Sequence, residues 1–496
     1  MLSLREANAT CLELGEQLWT PESNSTQRLL AMLDYREHNV SAISSDTLPA
    51  LCTHTAPFSN GVAQDTNHQW QVMLYKGSGD RVSALEFGAA CFQGFGGSED
   101  CHFLNIYTPY IPRSRRTDER LRPVMLWIHG GAFTGGFGSD PLFDGGNLAS
   151  RGDVVVVTIN YRLGTLGFLA LDDDVTNGNF GIADQIVALD WVLDHIRDFG
   201  GDPARITIFG QSAGGAAIRA LMASPKARGK FAGAIPMSSL GGLSYGASYA
   251  KYFSIEEQMD IAGNTVLRTT NCTDAKSKVD CLQRVPAEKL DFGARFLVVD
   301  GKYITSDELQ LNGDPLDVHL MMGITAEDGL PFLVFPQNGT VPDTTSWLGS
   351  QGLPDPPGVL GSKVYYYEFD RTYQTPEWPR LDICQAPKTK KYPNGNPESL
   401  GLPFRDEHDL PWQQYIVDTF TSFARTYNPN PDKDFLRARG FDSTLEALEK
   451  SGPWEPAVKG DMKIRSIGWP VKNDMMGNFR DLEQCKWLKM PLGFYI

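Results

Sequence analysis

The stretch Arg205-Ile-Thr-Ile-Phe-Gly-Gln-Ser-Ala-Gly-Gly-Ala-Ala-Ile218 decides the fold of this chain. Its β-branched and aromatic start predicts a strand, and the small residues from Ala213 to about Met222 predict a helix. Between them lies a G-x-S-x-G motif, which in this context indicates a nucleophile elbow, a sharp turn that lifts a hydroxyl clear of the sheet. We therefore expect Ser212 to be a nucleophile. A plain turn of small residues is the alternative.

Strand and helix patterns alternate on both sides of this stretch. The helix pattern from Ile182 to Phe199 is ended by Gly200-Gly201, and a late helix is expected from Trp412 to Tyr427. Buried strands are expected at Val124–Ile128, within 153–161, and at 232–237, 318–322 and 364–369. This alternation predicts an α/β fold, a doubly wound and mostly parallel sheet with helices on both faces.

A second turn would lie beside the elbow. The sequence His129-Gly-Gly-Ala-Phe133 follows a predicted strand, and such a motif presents backbone N–H groups toward an oxyanion. The expected donors are the N–H groups of Gly131, Ala132 and Ala213. We expect His129 to organise this loop rather than to act as a base. Alone the motif is weak, because glycine pairs after strands are common turns.

Charge and composition exclude several classes of partner. The 496 residues contain 45 Lys plus Arg against 60 Asp plus Glu, a net charge of −15, which disfavours nucleic acid and anionic membrane surfaces. No apolar run approaches the roughly 20 residues that span a bilayer. No Cys/His spacing suggests zinc, so we expect no metal or cofactor, and the partner is expected to be a small-molecule or lipid ester. The sequence assigns no oligomeric state.

Cysteines and glycosylation motifs point to an oxidising compartment. Cys91 and Cys101, and Cys272 and Cys281, are spaced as short disulfide loops would be, with reduced core thiols as the alternative. Five N-x-Ser/Thr motifs favour a secreted or secretory-pathway protein, at Asn8, Asn24, Asn39, Asn271 and Asn338. The sequence as given starts without the apolar core of a signal peptide, so a cytoplasmic location is the alternative.

Several stretches together resemble the type-B carboxylesterase/lipase family, which includes the cholinesterases. The similarity is dense over about residues 85–240, and the run Phe420–Pro431 looks like fungal members in particular. Gln211 stands where most members carry Glu. The matching stretches are Ser98–Pro109, Leu126–Phe133, Asn160–Phe168, Asn179–Gln185 and Phe199–Pro203.

The resemblance implies an α/β-hydrolase domain over residues 85–496 and an N-terminal extension over 1–84 that matches the family poorly. It also implies the disulfides Cys91–Cys101 and Cys272–Cys281, while Cys11, Cys52, Cys384 and Cys485 stay unassigned. The family's acid precedes a glycine, which selects Asp328 as the triad acid, with Glu327 in reserve.

The base is expected to be His408, the only histidine after Asp328, because the chain order of such enzymes is Ser, acid, His. However, Arg405–Pro411 resembles a segment that fungal relatives carry downstream of their catalytic histidine. The resemblance thus implies a serine-dependent carboxylic ester hydrolase that works through an acyl-enzyme. The alternative is a catalytically impaired, esterase-like binding protein without a working base, in which His408 is a loop histidine.

Overall fold

The computed structural model describes residues 87–94, 96–109, 121–173, 175–239, 252–290, 293–307, 317–325, 364–369, 409–458, 463–468 and 475–476. Nine strands in this part form one sheet in the order β1-β3-β2-β4-β5-β6-β7-β8-β9. Strands β2 to β8 pair in parallel, and the edge strands β1 and β9 pair antiparallel with β3 and β8. The strands are β1 Leu104–Tyr107, β2 Arg122–Ile128, β3 Val155–Ile159, β4 Gly201–Gln211, β5 Gly233–Met237, β6 His319–Thr325, β7 Val364–Phe369, β8 Ile464–Ile467 and β9 Met475–Met476.

Helices cover both faces of this sheet, as the sequence predicts. The helices are α1 Gly146–Gly152, α2 Gly164–Phe168, α3 Phe180–His195, α4 Ala213–Ala223, α5 Ile255–Gln258, α6 Asn264–Thr269, α7 Lys278–Leu282, α8 Asp409–Thr426, α9 Lys433–Arg439 and α10 Asp442–Ser451. A π-helical turn, Met259–Gly263, joins α5 to α6, and short 3-10 turns lie at Pro141–Phe143, Ile196–Phe199 and Ala287–Lys289.

Strand β2 explains why both faces must be covered. Val124, Leu126 and Ile128 pack in the core cluster that contains α3 and α4. Met125 and Trp127 point to the opposite face, into the cluster that contains α1, α8 and α10. Successive strand residues alternate between faces, so an apolar run without polar interruption is buried on both.

Helix α8 runs antiparallel to the central strands. Trp412 in its first turn contacts Phe369, at the carboxyl end of β7, with 5.9 Å between ring centroids. Near its other end, Arg425 donates to the carbonyl of Gly152, just before β3 begins. Tyr427 stacks on His319 at the start of β6, 4.1 Å between centroids. The helix therefore begins at the carboxyl edge of the sheet and ends at the amino edge.

Two disulfides close short loops of the chain. Cys91–Cys101 and Cys272–Cys281 are both bonded, with Cα–Cα distances of 4.8 and 5.7 Å, and confirm the pairings that the family resemblance implies. None of the helices in the described residues is long and apolar enough to cross a membrane.

Candidate active site

Ser212 lies at the turn between β4 and α4 with φ 57° and ψ −120°, a backbone conformation that is unfavourable for a residue with a side chain. Its N–H donates to the carbonyl of Met237 over 3.0 Å, and its carbonyl accepts from Ala216 over 2.9 Å. These bonds hold the turn in place between β5 and the start of α4. Such strain persists only where the surroundings enforce it, and it raises the Ser212 side chain above the strand end.

The glycines that flank the serine are required by close backbone approach. A Cβ atom on Gly210 would lie 2.4 Å from the carbonyl oxygen of Ile128, and one on Gly214 only 2.0 Å from the same atom. Any side chain at either position would push the elbow away from the end of β2. The G-x-S-x-G spacing therefore lets two parallel strands and a helix meet at one point.

The hydroxyl of Ser212 is half-buried and available. Within the described residues it has no hydrogen-bond partner, although it stands at the first turn of α4. The orphan N–H groups of that turn carry the positive end of the helix dipole, which favours negative charge nearby. The side chain is thus placed where an anionic reaction intermediate would be stabilised.

The loop after β2 packs directly on the elbow. A Cβ atom on Gly130 would lie 2.6 Å from the carbonyl oxygen of Gln211 and 3.2 Å from Cβ of Ser212. Beyond it, Gly131 and Ala132 adopt positive φ values of 109° and 55°. The carbonyl of Gly131 accepts the N–H groups of the two residues at 134 and 135, which closes a tight turn.

Three backbone donors near the elbow are free. In the part of the chain that the structure describes, the N–H groups of Gly131, Ala132 and Ala213 have no acceptor. Gly131 is exposed, Ala132 is half-buried and Ala213 is buried at the first position of α4, where an N–H group has no acceptor within the helix. Two of them belong to the loop after β2 and one to the first turn of α4, the arrangement that an oxyanion hole requires.

His129, the first residue after β2, holds the loop that follows this strand. Its ring is buried, its Nδ1 lies 2.9 Å from the carbonyl oxygen of Gly130, and it stacks on Tyr161 with 4.3 Å between centroids. The Tyr161 hydroxyl donates to the His129 carbonyl over 2.8 Å. Burial lowers the pKa of His129 to about 4, despite the opposing effect of the Gly130 carbonyl. A neutral, enclosed imidazole organises the loop, which agrees with the sequence-based expectation.

Two side chains that the motif analysis did not single out hold the same loop. Gln93 exchanges hydrogen bonds with the backbone of Gly136, and Asn160 accepts the N–H of Gly138 over 2.8 Å. Asn160 also donates to the carbonyl of Cys101 over 3.1 Å. Asn160 lies in a stretch that resembles the family, and this resemblance could have identified it as a functional residue. No feature of the sequence identifies Gln93, because its role is visible only in its contacts.

A buried ion pair fixes the segment between β3 and α3. Arg162 makes a bidentate pair with Asp184, at 2.7 and 2.6 Å, and His102 Nε2 lies 3.2 Å from the same carboxylate. Burial alone would raise the pKa of Asp184, but Arg162 and His102 together hold it well below its usual range. The carboxylate is therefore charged and fully engaged, and it is not a free catalytic acid.

The remaining predicted site residues lie outside the described residues. These are Asp328 and its reserve Glu327, His408, and four of the five glycosylation asparagines, Asn8, Asn24, Asn39 and Asn338. Asn271 is described: it is exposed and precedes the disulfide-bonded Cys272. The structure thus places Ser212 and Ala213 at the elbow and Gly131 and Ala132 in the loop that packs on it; their roles as nucleophile and donors stay predictions.

Comparison with known proteins matches residues 44–346 to the model of the carboxylesterase family. Para-nitrobenzyl esterase of Bacillus subtilis is 38% identical over 249 residues, 47% of this chain and 48% of that protein. Human neuroligin-2 is 35% identical over 269 residues, 48% of this chain and 30% of that protein. The chain therefore matches about half, or less, of the length of these curated relatives.

A solved structure extends the similarity over more of the fold. A carboxylesterase of Geobacillus stearothermophilus superposes with a TM-score of 0.58 and 26% identity, covering 81% of this chain and 89% of that one. This similarity shows that the chain has the α/β-hydrolase fold.

Proposed function

The chain belongs to the carboxylesterase family, and we propose that it hydrolyses carboxylic esters through a covalent acyl-enzyme on Ser212. One observation carries this proposal: Ser212 has a strained backbone and an unbonded hydroxyl, and the loop that packs on it at Gly130 continues into two residues whose N–H groups, like that of Ala213, have no acceptor in the described residues. That combination suits acyl transfer, because the nucleophile and the donors for the developing oxyanion stand side by side.

The proposed reaction has two half-reactions. The Ser212 oxygen attacks the ester carbonyl while its proton passes to a general base, and the carbonyl oxygen becomes an oxyanion bound by Gly131, Ala132 and Ala213. The tetrahedral intermediate expels the alcohol, which takes the proton from the base, and leaves the acyl group on Ser212. Water, which gives its proton to the same base, then attacks the acyl-enzyme. The second tetrahedral intermediate collapses, the base returns that proton to the Ser212 oxygen, and the carboxylic acid leaves. No cofactor takes part in the proposed scheme.

We assign the base to His408 and the acid that orients it to Asp328. Two features of the fold support this assignment. Strand β6 is two strands from β4 and ends at Thr325, three residues before Asp328, on the edge that carries Ser212. Helix α8 begins at Asp409, directly after His408, and its first turn lies at that same edge against Phe369.

A second candidate is an esterase-like binding protein. Human neuroligin-2, a relative whose name is not that of an enzyme, has the same level of similarity as the esterase relative. The likeness of Arg405–Pro411 to a segment downstream of the family's histidine also favours it. In such a protein Ser212 would keep its geometry but would lack the base that takes its proton.

The proposed substrate is a small-molecule or lipid ester, with nucleic acid disfavoured by the net charge of −15. We propose a secretory-pathway location, which the two disulfides and the exposed Asn271 motif support. The boundary between an extension and the hydrolase domain near residue 84 stays a prediction; the family match begins at residue 44.

Kinetics with p-nitrophenyl acetate separates the two candidates. We expect measurable turnover by the purified chain, a loss of at least about 10⁴-fold in kcat for both Ser212→Ala and His408→Ala, and unchanged unfolding midpoints. His319→Ala is the matched control, because His319 starts β6 at the opposite edge, and it should keep its activity. A folded wild type without turnover supports the binding protein. Full activity in His408→Ala would reassign the base.

A further inference from the structure

The loop that the Cys91–Cys101 disulfide closes is bonded to the turn that carries the free N–H groups. Gln93, 6% exposed, accepts the N–H of Gly136 through Oε1 over 2.9 Å. Its Nε2 donates to the carbonyl of Cys91 over 3.0 Å and to that of Gly136 over 3.4 Å. One side-chain amide therefore connects the disulfide loop to the loop after β2.

Gly136 is in close contact with the rest of that loop. It has φ 106°, and a Cβ atom on it would lie 2.4 Å from Nδ1 of His129. Gly131 and Gly135 are also in close contact, because a Cβ atom on Gly131 would lie 2.2 Å from the carbonyl oxygen of Gly135. A shift of this backbone by a few tenths of an ångström must be passed on to His129 and Gly131, because nothing compressible lies between them.

We infer that Gln93 is a positioning residue for the oxyanion donors, and that the Cys91–Cys101 disulfide acts on the site through it. This inference rests on the proposed function. Gln93 lies outside the elbow and holds the Gly131–Gly136 turn in one conformation. In that conformation the N–H groups of Gly131 and Ala132 are directed at the ester. Gln93 does not touch the substrate.

The donors act mainly on the transition state, where negative charge develops on the carbonyl oxygen. Misplacing them should therefore lower kcat and leave KM nearly unchanged. Gln93→Met keeps the volume and removes all three hydrogen bonds of the side-chain amide, and we expect kcat for p-nitrophenyl acetate to fall about ten-fold.

The chain offers a matched control for this substitution. Gln258 is also buried, and its amide likewise accepts a backbone N–H, that of Ala170, and donates to a backbone carbonyl, that of Phe296, both over 2.8 Å. It is the last residue of α5, directly before the π-helical turn, in another part of the fold. Gln258→Met should lower the unfolding midpoint by a comparable amount and leave kcat unchanged.

The two disulfides form a second matched pair, with sequence separations of 10 and 9 residues. The double variant Cys91→Ser with Cys101→Ser should lower kcat as Gln93→Met does. The double variant Cys272→Ser with Cys281→Ser should not. Combining Gln93→Met with the first pair should add little, because both changes release the same turn.

Amide hydrogen exchange tests the inference without relying on activity. Gln93→Met in the full chain should speed exchange over residues 129–138 at least ten-fold, and Gln258→Met should leave it at the wild-type rate. If the wild type hydrolyses no ester, the proposed function fails, while this exchange contrast still tests the positioning. If the wild type is active and Gln93→Met matches it in both kcat and exchange, the inference about Gln93 is wrong and the esterase proposal stands.

Discussion

The two edges of the sheet use strained and polar backbone in opposite ways. At the carboxyl edge, Ala132 and Ser212 adopt positive φ, and nearby N–H groups such as that of Ala213 have no acceptor in the described residues. At the amino edge, Asp153 also has positive φ (51°), but its carboxylate pairs with Arg122 at 2.9 Å. Polar groups at the carboxyl edge are thus available to bind a ligand, whereas those at the amino edge bind each other and stabilise the fold.

The contrast extends to the loops and helix ends around the amino edge. Arg151, in the last turn of α1, makes a bidentate pair with the buried carboxylate of Asp418, and Thr444 donates to that carboxylate over 2.6 Å. Polar groups here are satisfied by partners within the chain. Substitutions at the amino edge should therefore change stability alone, whereas those at the carboxyl edge should change activity as well.

The largest expected change in stability comes from Asp418→Ala. It leaves the guanidinium of Arg151 buried without its partner, and we expect the free energy of unfolding to fall by about 3–5 kcal/mol. Urea unfolding measures this loss. At temperatures where the variant is folded, kcat for p-nitrophenyl acetate should equal that of the wild type. If kcat fell in proportion to the loss of stability, residues at the amino edge would affect activity as well, and the proposed difference between the two edges would be wrong.

Low pH should reduce the free energy of unfolding through His129, which lies at the carboxyl edge. Its pKa is about 4 in the folded chain because of burial, against 6.5 when unfolded. Between these values the unfolded chain binds a proton that the folded chain does not, so stability falls as the pH drops from about 6.5 to about 4. The contribution is about 3 kcal/mol. His129→Gln cannot titrate, so its unfolding free energy should depend less on pH across this window. Identical slopes for the two proteins would contradict the account of His129.

Two glycine substitutions should have the smallest effects on stability. One is at the elbow and the other is distant from it, so together they test whether only the elbow affects activity. Gly214→Ala would press a methyl group to within 2.0 Å of the Ile128 carbonyl, which should cost about 2 kcal/mol and displace the elbow, reducing kcat more than ten-fold. Gly229 has φ 79° with nothing within 4 Å of a Cβ, so Gly229→Ala should cost about 1 kcal/mol and leave kcat intact. Thermal unfolding and steady-state kinetics on both variants would reveal any reversal of this order.

Much of the fold could be predicted from the sequence because its central strands are apolar on both faces. The expected strand at 364–369 has the observed bounds, and the elbow and the helix after it are where the motif predicted them. Helix α8 begins at Asp409, before the expected Trp412. Pro411 lies in its first turn, where the missing N–H would have had no partner within the helix.

The two edge strands, β1 and β9, and the strand β8 beside one of them were not predicted. Strand β1 is half-buried over four residues, and β8 and β9 are four and two residues long. Such short segments give too little periodicity to be recognised, and their pairing depends on distant parts of the chain. Gln93 was missed for a related reason, since its importance comes from contact with Gly136, 43 residues away.

The most direct test of Ser212 as the nucleophile is reaction of the native chain with an alkyl fluorophosphonate, followed by mass spectrometry of the intact protein and its peptides. We expect one adduct per chain, on the peptide that contains Ser212, and no adduct on Ser212→Ala. A folded wild-type protein that stays unmodified, or an adduct on another serine, would contradict the assignment of Ser212 as the nucleophile.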